Sequence, residues 1–89
     1  MVFTQLLPCT VGAGMFSSEV AVELKDNEKT VSLFVSKELV VHRNGRDFLR
    51  VTVVGPNGKP NYKTVLLPDE AFETGSRWLS VPEQILEAA

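Results

Sequence analysis

The sequence predicts a small, mainly β domain, and three observations lead to this prediction. The chain has 89 residues, the size of one domain. Hydrophobic and polar residues alternate over several short stretches, as they do in strands that bury one face. Asn-Gly, a strong hairpin signal, occurs at 44–45 and at 57–58. We therefore expect a five- or six-stranded antiparallel barrel, SH3-like or OB-like, with short helical turns near the C-terminus, and an α+β sheet as the alternative.

The order of the elements follows from this alternation. The N-terminal residues 1–14 are apolar and rich in small side chains, and we expect a flexible segment there, or an edge strand at 3–7. Residues 15–89 are expected to form a single small β domain. Within it, apolar residues share one face from Phe16 to Leu24, and the same pattern returns further along. The predicted strands cover residues 16–25, 30–35, 48–54, 62–67 and 76–81.

The segments between these strands carry their own signals. Residues 37–41 either continue the second strand after a bend or form a short separate segment. Residues 69–75 begin with acidic side chains and end in glycine, which predicts one or two helical turns. Ser80 precedes Glu83 with the spacing of a capping box, which predicts a short C-terminal helix over 84–89.

Composition narrows the class of protein. The chain is 44% hydrophobic and 22% charged, which is ordinary globular usage and not that of a disordered protein. The net charge of −2 does not favour non-specific attraction to nucleic acid or to an anionic membrane. Cys9 is the single cysteine, so no internal disulfide forms, and we expect a cytoplasmic protein. No apolar run approaches the length of a membrane span, so no membrane partner is expected.

Charge is distributed unevenly along the chain. Residues 42–63 hold five basic residues against Asp47 alone, whereas residues 69–89 hold five acidic residues against Arg77 alone. The basic segment is a candidate contact for an anion or a nucleic acid, with Phe48 or Tyr62 as a stacking face. The alternatives are plain surface charge that keeps the protein soluble, or a contact between copies. The candidate contact residues are Arg43, Arg46, Arg50, Lys59 and Lys63.

Two aromatic residues are candidates for a protein interface. If Leu79 and Val81 face the core, then Trp78 points outward, and tryptophan is enriched where proteins bind each other. If Trp78 itself faces the core, it is only a large core residue. Phe34 lies opposite the apolar face of its strand, so that strand is either central and covered on both sides or part of an interface.

No group of residues predicts catalysis. His42 is the only histidine and is expected at the surface, and nothing in the sequence brings it to Cys9. One cysteine and one histidine are too few for a zinc site, and no phosphate-binding glycine motif occurs, so no metal or cofactor is expected. We therefore expect a non-catalytic binding or assembly module that contacts a protein partner or a second copy. The alternative is a small barrel that binds RNA or single-stranded DNA.

Overall fold

The computed structural model describes residues 3–14, 16–26, 29–56 and 58–89. Most of the described residues lie in strands and only two short segments in helical turns, which confirms the prediction of a mainly β fold. The two helical turns are 3-10 turns at Lys37–Leu39 and Glu83–Ile85. The strands are β1 Phe3–Ala13, β2 Glu19–Asp26, β3 Lys29–Ser36, β4 Val40–Arg43, β5 Arg46–Pro56, β6 Tyr62–Leu66, β7 Trp78–Pro82 and β8 Glu87–Ala88.

The described strands form one antiparallel sheet that curls into a half-barrel. The order along the sheet is β3-β2-β1-β5-β6-β7, with β4 also beside β5 and β8 also beside β1. The sheet has eight strands where the sequence predicts five or six, because β1, β4 and β8 add to the predicted set. Strands β3 and β7 are the two ends of this order.

Strand β1 occupies the middle of the sheet. Phe3 to Cys9 pair with β5, and Thr10 to Ala13 pair with β2. Pro8 falls where β1 has no register partner in β8 or β2, a position at which a missing backbone N–H is tolerated. Residues 3–13 therefore form a strand between β5 and β2 and not the expected flexible segment, and Gln5 and Leu6 are paired on both sides, with β5 and with β8. Residues 1–2 lie outside the described part of the chain.

The hairpin between β4 and β5 uses the Asn-Gly turn that the sequence predicts, whereas the second predicted Asn-Gly turn includes Asn57, which lies outside the described residues. Asn44 and Gly45 join β4 to β5 with φ angles of 53° and 77°, the positive values that a tight hairpin turn needs. Further along β5, the register with β6 shifts between Val53 and Gly55, which marks a β-bulge at Val54. Gly55 adopts a φ of 154° there, in the region that favours glycine.

The core lies on the concave face of the half-barrel. Each long strand contributes alternate residues to it, such as Val51 and Val53 from β5 and Leu79 and Val81 from β7. All of these side chains are buried, and the alternation that predicts the strands also predicts this face. The core further includes Leu7, Val22, Leu24, Val31, Leu33, Val35, Leu49, Val65, Leu67 and Ala71.

A second, smaller buried group lies on the opposite face, between β1, β4 and β5. Leu6 and Phe48 are 0% and 1% exposed although they alternate away from the core. Pro8 and Val41 are the register partners of Phe48 on its two sides, and the Arg46 guanidinium lies 5.9 Å from the centre of its ring. We call Leu6, Pro8, Val41 and Phe48 the outer cluster.

Residues 67–77, which connect β6 to β7, form a strap across the end of the half-barrel. Leu67 N–H donates to the Arg77 carbonyl at 2.7 Å, which extends the hairpin, and Phe72 N–H donates to the Ser32 carbonyl of β3 at 2.9 Å. Ala71 of the strap is 2% exposed and belongs to the core. The predicted helical turns at 69–75 reduce to one turn, closed by a 2.8 Å bond from Gly75 N–H to the Ala71 carbonyl.

Glu73 attaches the strap to the edge strand β3. Its carboxylate accepts a bond of 2.7 Å from the Ser32 N–H and one of 2.5 Å from the Ser32 hydroxyl. The strap thereby occupies both the N–H and the carbonyl of Ser32. Exposed strand edges pair readily with other chains, so the strap protects β3.

The bond to Ser32 makes part of the stability depend on pH. Hydrogen bonds from the Ser32 hydroxyl and N–H lower the pKa of Glu73 from its usual 4.5. A carboxylate whose pKa is lowered on folding stabilises the folded protein at pH values above its pKa in the unfolded chain. This stabilisation is lost as the pH falls from 4.5 through the lower pKa of the folded protein. We expect Glu73→Gln to be less stable than the wild type at neutral pH, with a difference that shrinks in acid. Thermal unfolding between pH 7 and pH 3 measures this, with Glu70→Gln as the matched control.

The C-terminal residues do not form the predicted helix. Strand β7 extends to Pro82, so Ser80 pairs with Thr64 inside the sheet and does not cap a helix. Glu83 contacts Lys63 at 3.6 Å instead of closing a capping box. A single 3-10 turn follows, and then β8 pairs with β1.

Candidate binding surface

The exposed tryptophan lies on the convex face of the sheet. Leu79 and Val81 are buried in the core, so Trp78 points to the other side, and it is 56% exposed. It is in register with Leu66 of β6, and Leu66 is in register with Thr52 of β5. These three side chains form one row across β5, β6 and β7, and Leu66 and Thr52 are half-buried beside the indole.

A groove lies next to this row, where β5 has a gap in its pairing. On that side β5 pairs with β4 up to Leu49 and with β6 from Thr52, which leaves Arg50 and Val51 between them without a register partner there. The groove has a volume of about 320 Å³ and includes the side chains of both Arg50 and Arg77. Its other lining residues include Thr4, Leu39, Leu66 and Pro68.

Arg77 is held in place by the strap. Its Nε donates to the Leu67 carbonyl at 3.0 Å, which leaves the two terminal nitrogens of the guanidinium for other contacts. Arg77 also lines a second depression of about 420 Å³, together with Leu66, Trp78 and Glu70. The two depressions share Leu66 and Arg77, so they form one surface. We call it the Trp78 surface: Arg50, Thr52, Leu66, Arg77 and Trp78, with Glu70 at its edge.

Phe34, the other candidate interface residue, belongs to a different part of the molecule. It lies on the convex face of β3, an end strand of the sheet and not the central strand that the sequence allows. The ring of Phe72, from the strap, packs edge-on against it with ring centres 5.2 Å apart. Phe34 is therefore half-covered within its own chain, and Phe72 is the more exposed ring of the two.

The basic candidates divide into two groups. Arg43 and Arg46 are register partners, and Arg50 lies on the same face of β5 as Arg46. Lys59 and Lys63 belong to the hairpin at the opposite end of β5, about 30 Å along the strand from Arg46 and about 20 Å from Arg50. The basic segment therefore does not form one continuous patch.

Several of these cations already have contacts in the described part of the chain. Arg43 donates to the Ala88 carbonyl at 3.0 Å, and the Lys63 ammonium lies 3.6 Å from Glu83. The Lys59 ammonium lies 4.2 Å from the centre of the Tyr62 ring. Phe48 is buried in the outer cluster, so the expectation that its ring offers a stacking face is wrong.

Cys9, Asp47 and His42 line up across β1, β5 and β4 on the concave face. Asp47 is the register partner of both others, and its carboxylate oxygen lies 2.9 Å from the His42 Nδ1. Nucleophilic catalysis needs the base beside the thiol, and here the carboxylate stands between the two. Burial, and secondarily the charge of Asp47, raise the pKa of Cys9 to about 11. The thiol is therefore protonated at neutral pH.

The raised pKa predicts an unreactive cysteine. A pKa of about 11 instead of 9.0 lowers the thiolate fraction of Cys9 at pH 8 about 100-fold, and the thiolate is the form that reacts. We expect alkylation by iodoacetamide to be about 100-fold slower in the folded protein than in the same protein unfolded in urea. Asp47→Asn removes the neighbouring charge and is expected to raise the rate. Equal rates in the folded and unfolded protein would contradict the assignment.

Metal-binding and membrane-spanning features are absent from the residues that the structure describes. Those residues include no group of three or more His, Cys, Asp or Glu side chains placed to hold a metal ion. None of their helical turns is long and apolar enough to cross a membrane. No protein-family model matches the chain, and neither a curated protein nor a solved structure matches it significantly.

Proposed function

We propose that this protein is a non-catalytic binding module that contacts a protein partner through the Trp78 surface. The observation that carries the proposal is the exposure of Trp78, at 56%, on a strand whose other face is core. Leaving an indole in water forgoes the burial that stabilises other aromatic residues, and tryptophans anchor a disproportionate share of protein interfaces.

The surroundings of Trp78 fit such an anchor. Leu66 and Thr52 lie beside it on strands held by the core, so the surface is rigid before a partner arrives. Arg50 and Arg77 add polar contacts at the rim of the apolar row. The module works in the cytoplasm in this proposal, where its single cysteine stays reduced, and it needs no metal or cofactor.

Binding of RNA or single-stranded DNA is the second candidate. The pairing of Arg43 with Arg46 favours it, because like charges opposite each other on two strands are destabilising unless an anion lies between them. Two observations rank it lower. Arg43 already donates to a carbonyl, and the buried ring of Phe48 offers no face to a base.

Selection from a displayed library of random linear peptides, with the full chain immobilised, tests the proposal. We expect enriched peptides that lose at least tenfold in affinity when Trp78→Thr replaces the indole, because the loss of a central tryptophan contact is typically large. Threonine, like tryptophan, is favoured in strands, so β7 is expected to be retained. Phe16→Thr is the matched control, since Phe16 is also an exposed aromatic residue but lies between β1 and β2.

Two further measurements separate the alternatives. Light scattering over a range of concentrations, with acrylamide quenching of Trp78, shows whether a second copy covers the indole. An equal effect of Trp78→Thr and Phe16→Thr on every enriched peptide would count against the proposal. Salt-sensitive binding of oligonucleotides that depends on Arg43 and Arg46 would replace it with the second candidate.

A further inference from the structure

We propose that the groove beside Trp78 receives a carboxylate, so that the partner is an extended protein segment in which an acidic side chain lies close to a large apolar one. This inference rests on the function proposed above and names the class of partner. In it, Arg50 and Arg77 bind the acidic side chain, and Leu66 and Trp78 bind the apolar one.

The charges of the groove are the first reason to expect a carboxylate there. Arg50 and Arg77 both line it, and no acidic residue does. Among the described side chains, no carboxylate lies within ion-pair distance of either guanidinium. Two like charges that share a groove repel each other, and an anion between them removes the repulsion. A guanidinium also offers paired donors that match the two oxygens of a carboxylate.

The orientation of Arg77 is the second reason to expect a carboxylate in the groove. The 3.0 Å bond from its Nε to the Leu67 carbonyl orients the guanidinium before any ligand binds. The side chain therefore loses less conformational entropy on binding than a free arginine does. Arg50 is held at the base of its side chain by a central strand, so one wall of the groove comes from β5 and the other from the strap.

The spacing of the site defines the peptide. Trp78 lies on β7 and Arg50 on β5, two strands apart in the sheet, which is about 10 Å at the usual strand spacing. An extended chain covers this distance in about three residues. The acidic and the apolar residue of the partner are therefore separated by two to four positions, with Leu66 beneath the segment between them.

The charge at the far side of the surface favours a protein over a nucleic acid. Glu70 lines the depression that holds Trp78, so a phosphate chain that crosses from Arg77 to the indole meets a negative charge. A protein segment with one acidic residue at its groove end and an apolar residue at its Trp78 end avoids this charge. The short row of two arginines also matches a single carboxylate and not a run of phosphates.

The test uses Trp78 as its own reporter, because it is the only tryptophan in the chain. The probes are synthetic extended peptides with glutamate and leucine two to four positions apart, each paired with a version in which glutamine replaces the glutamate. We expect the glutamate peptides to shift the Trp78 emission to the blue and to bind at least tenfold more tightly than their glutamine versions. Arg50→Gln should remove this preference, while Arg46→Gln, the same change on the same strand outside the groove, should keep it.

Each outcome separates the inference from the proposed function. Peptides that bind at Trp78 with equal affinity whether they carry glutamate or glutamine overturn the carboxylate site and leave the protein-binding function standing. The absence of any peptide that binds in a Trp78-dependent manner overturns both. Quenching of Trp78 by a single-stranded oligonucleotide, lost in Arg50→Gln, overturns the assignment of a protein partner. A glutamate preference that survives both Arg50→Gln and Arg77→Gln shows that the carboxylate binds outside the groove, and it overturns the inference.

Discussion

Replacing Ala71 with aspartate is expected to unfold the strap and to destabilise the protein by about 3 kcal/mol or more, since it buries a charge without a partner. Ala71 is 2% exposed and, like Leu67 of the same strap, it packs in the core. Small domains have limited stability to lose, so part of the population should be unfolded at physiological temperature. Urea denaturation followed by circular dichroism measures the loss.

Thr74→Asp is the control for this variant. It places the same charge in the same strap at an exposed position, where the side chain accepts a bond from the Ser76 N–H that aspartate also accepts. We expect its stability to stay within about 0.5 kcal/mol of the wild type. The Ala71→Asp protein should also form soluble aggregates, because release of the strap exposes the edge of β3. A monomeric, fully stable Ala71→Asp protein would show that the strap contributes little to closing the half-barrel.

Phe48→Ala is expected to cost about 3–5 kcal/mol, the usual range for truncating a buried phenylalanine. The reason is the outer cluster, in which Phe48 is 1% exposed on the face opposite the main core, with Pro8 and Val41 as its register partners on the two neighbouring strands. The variant removes the ring beneath Arg46 and loosens the contact between the β4–β5 hairpin and β1. The midpoint of urea unfolding measures this effect.

Phe16→Ala provides the matched comparison, because Phe16 is an exposed phenylalanine in the connection between β1 and β2. Its truncation is expected to change stability by no more than about 0.5 kcal/mol. If the two variants were equally stable, the outer cluster would not contribute to folding. Hydrogen exchange of β4 then distinguishes local opening of the hairpin from global unfolding.

The strands of the half-barrel follow from local patterns in the sequence. Alternation places Val31, Leu33 and Val35 on one face, and Asn44-Gly45 sets the turn into β5. Both signals act over a few residues and need no knowledge of the rest of the chain. The outward position of Trp78 follows in the same way once Leu79 is assigned to the core.

The elements that sequence patterns miss depend on distant partners. Strand β1 does not alternate regularly, because Leu6 and Leu7 are adjacent and both are buried, one in the outer cluster and one in the core. Ser80 has the spacing of a helix cap, but it pairs with β6 inside the sheet instead. No local pattern in the sequence predicts this pairing of β7 with β6. In each case a tertiary contact overrides a local preference.

The candidate groove is predictable from the sequence only in part. Arg50 is part of the basic segment, but Arg77 lies in the acidic one, where it is the only positive charge. The fold brings them together because the strap returns across the gap in the pairing of β5. No spacing rule connects two residues on separate elements in this way, because only the folded chain brings the two arginines to one groove.

The pairing of β1 has a consequence for how the protein folds. This strand precedes all the others in the chain, and it pairs with β5 and with β8, which follows all the others. Contacts between such distant segments slow folding, because a long loop must close before the pairing compensates for its lost entropy. During synthesis, the apolar β1 therefore has to wait for most of the chain before both of its edges are paired. The nascent chain is most prone to aggregation in that interval. The unpaired β1 is then the segment that chaperones for extended apolar chains would bind.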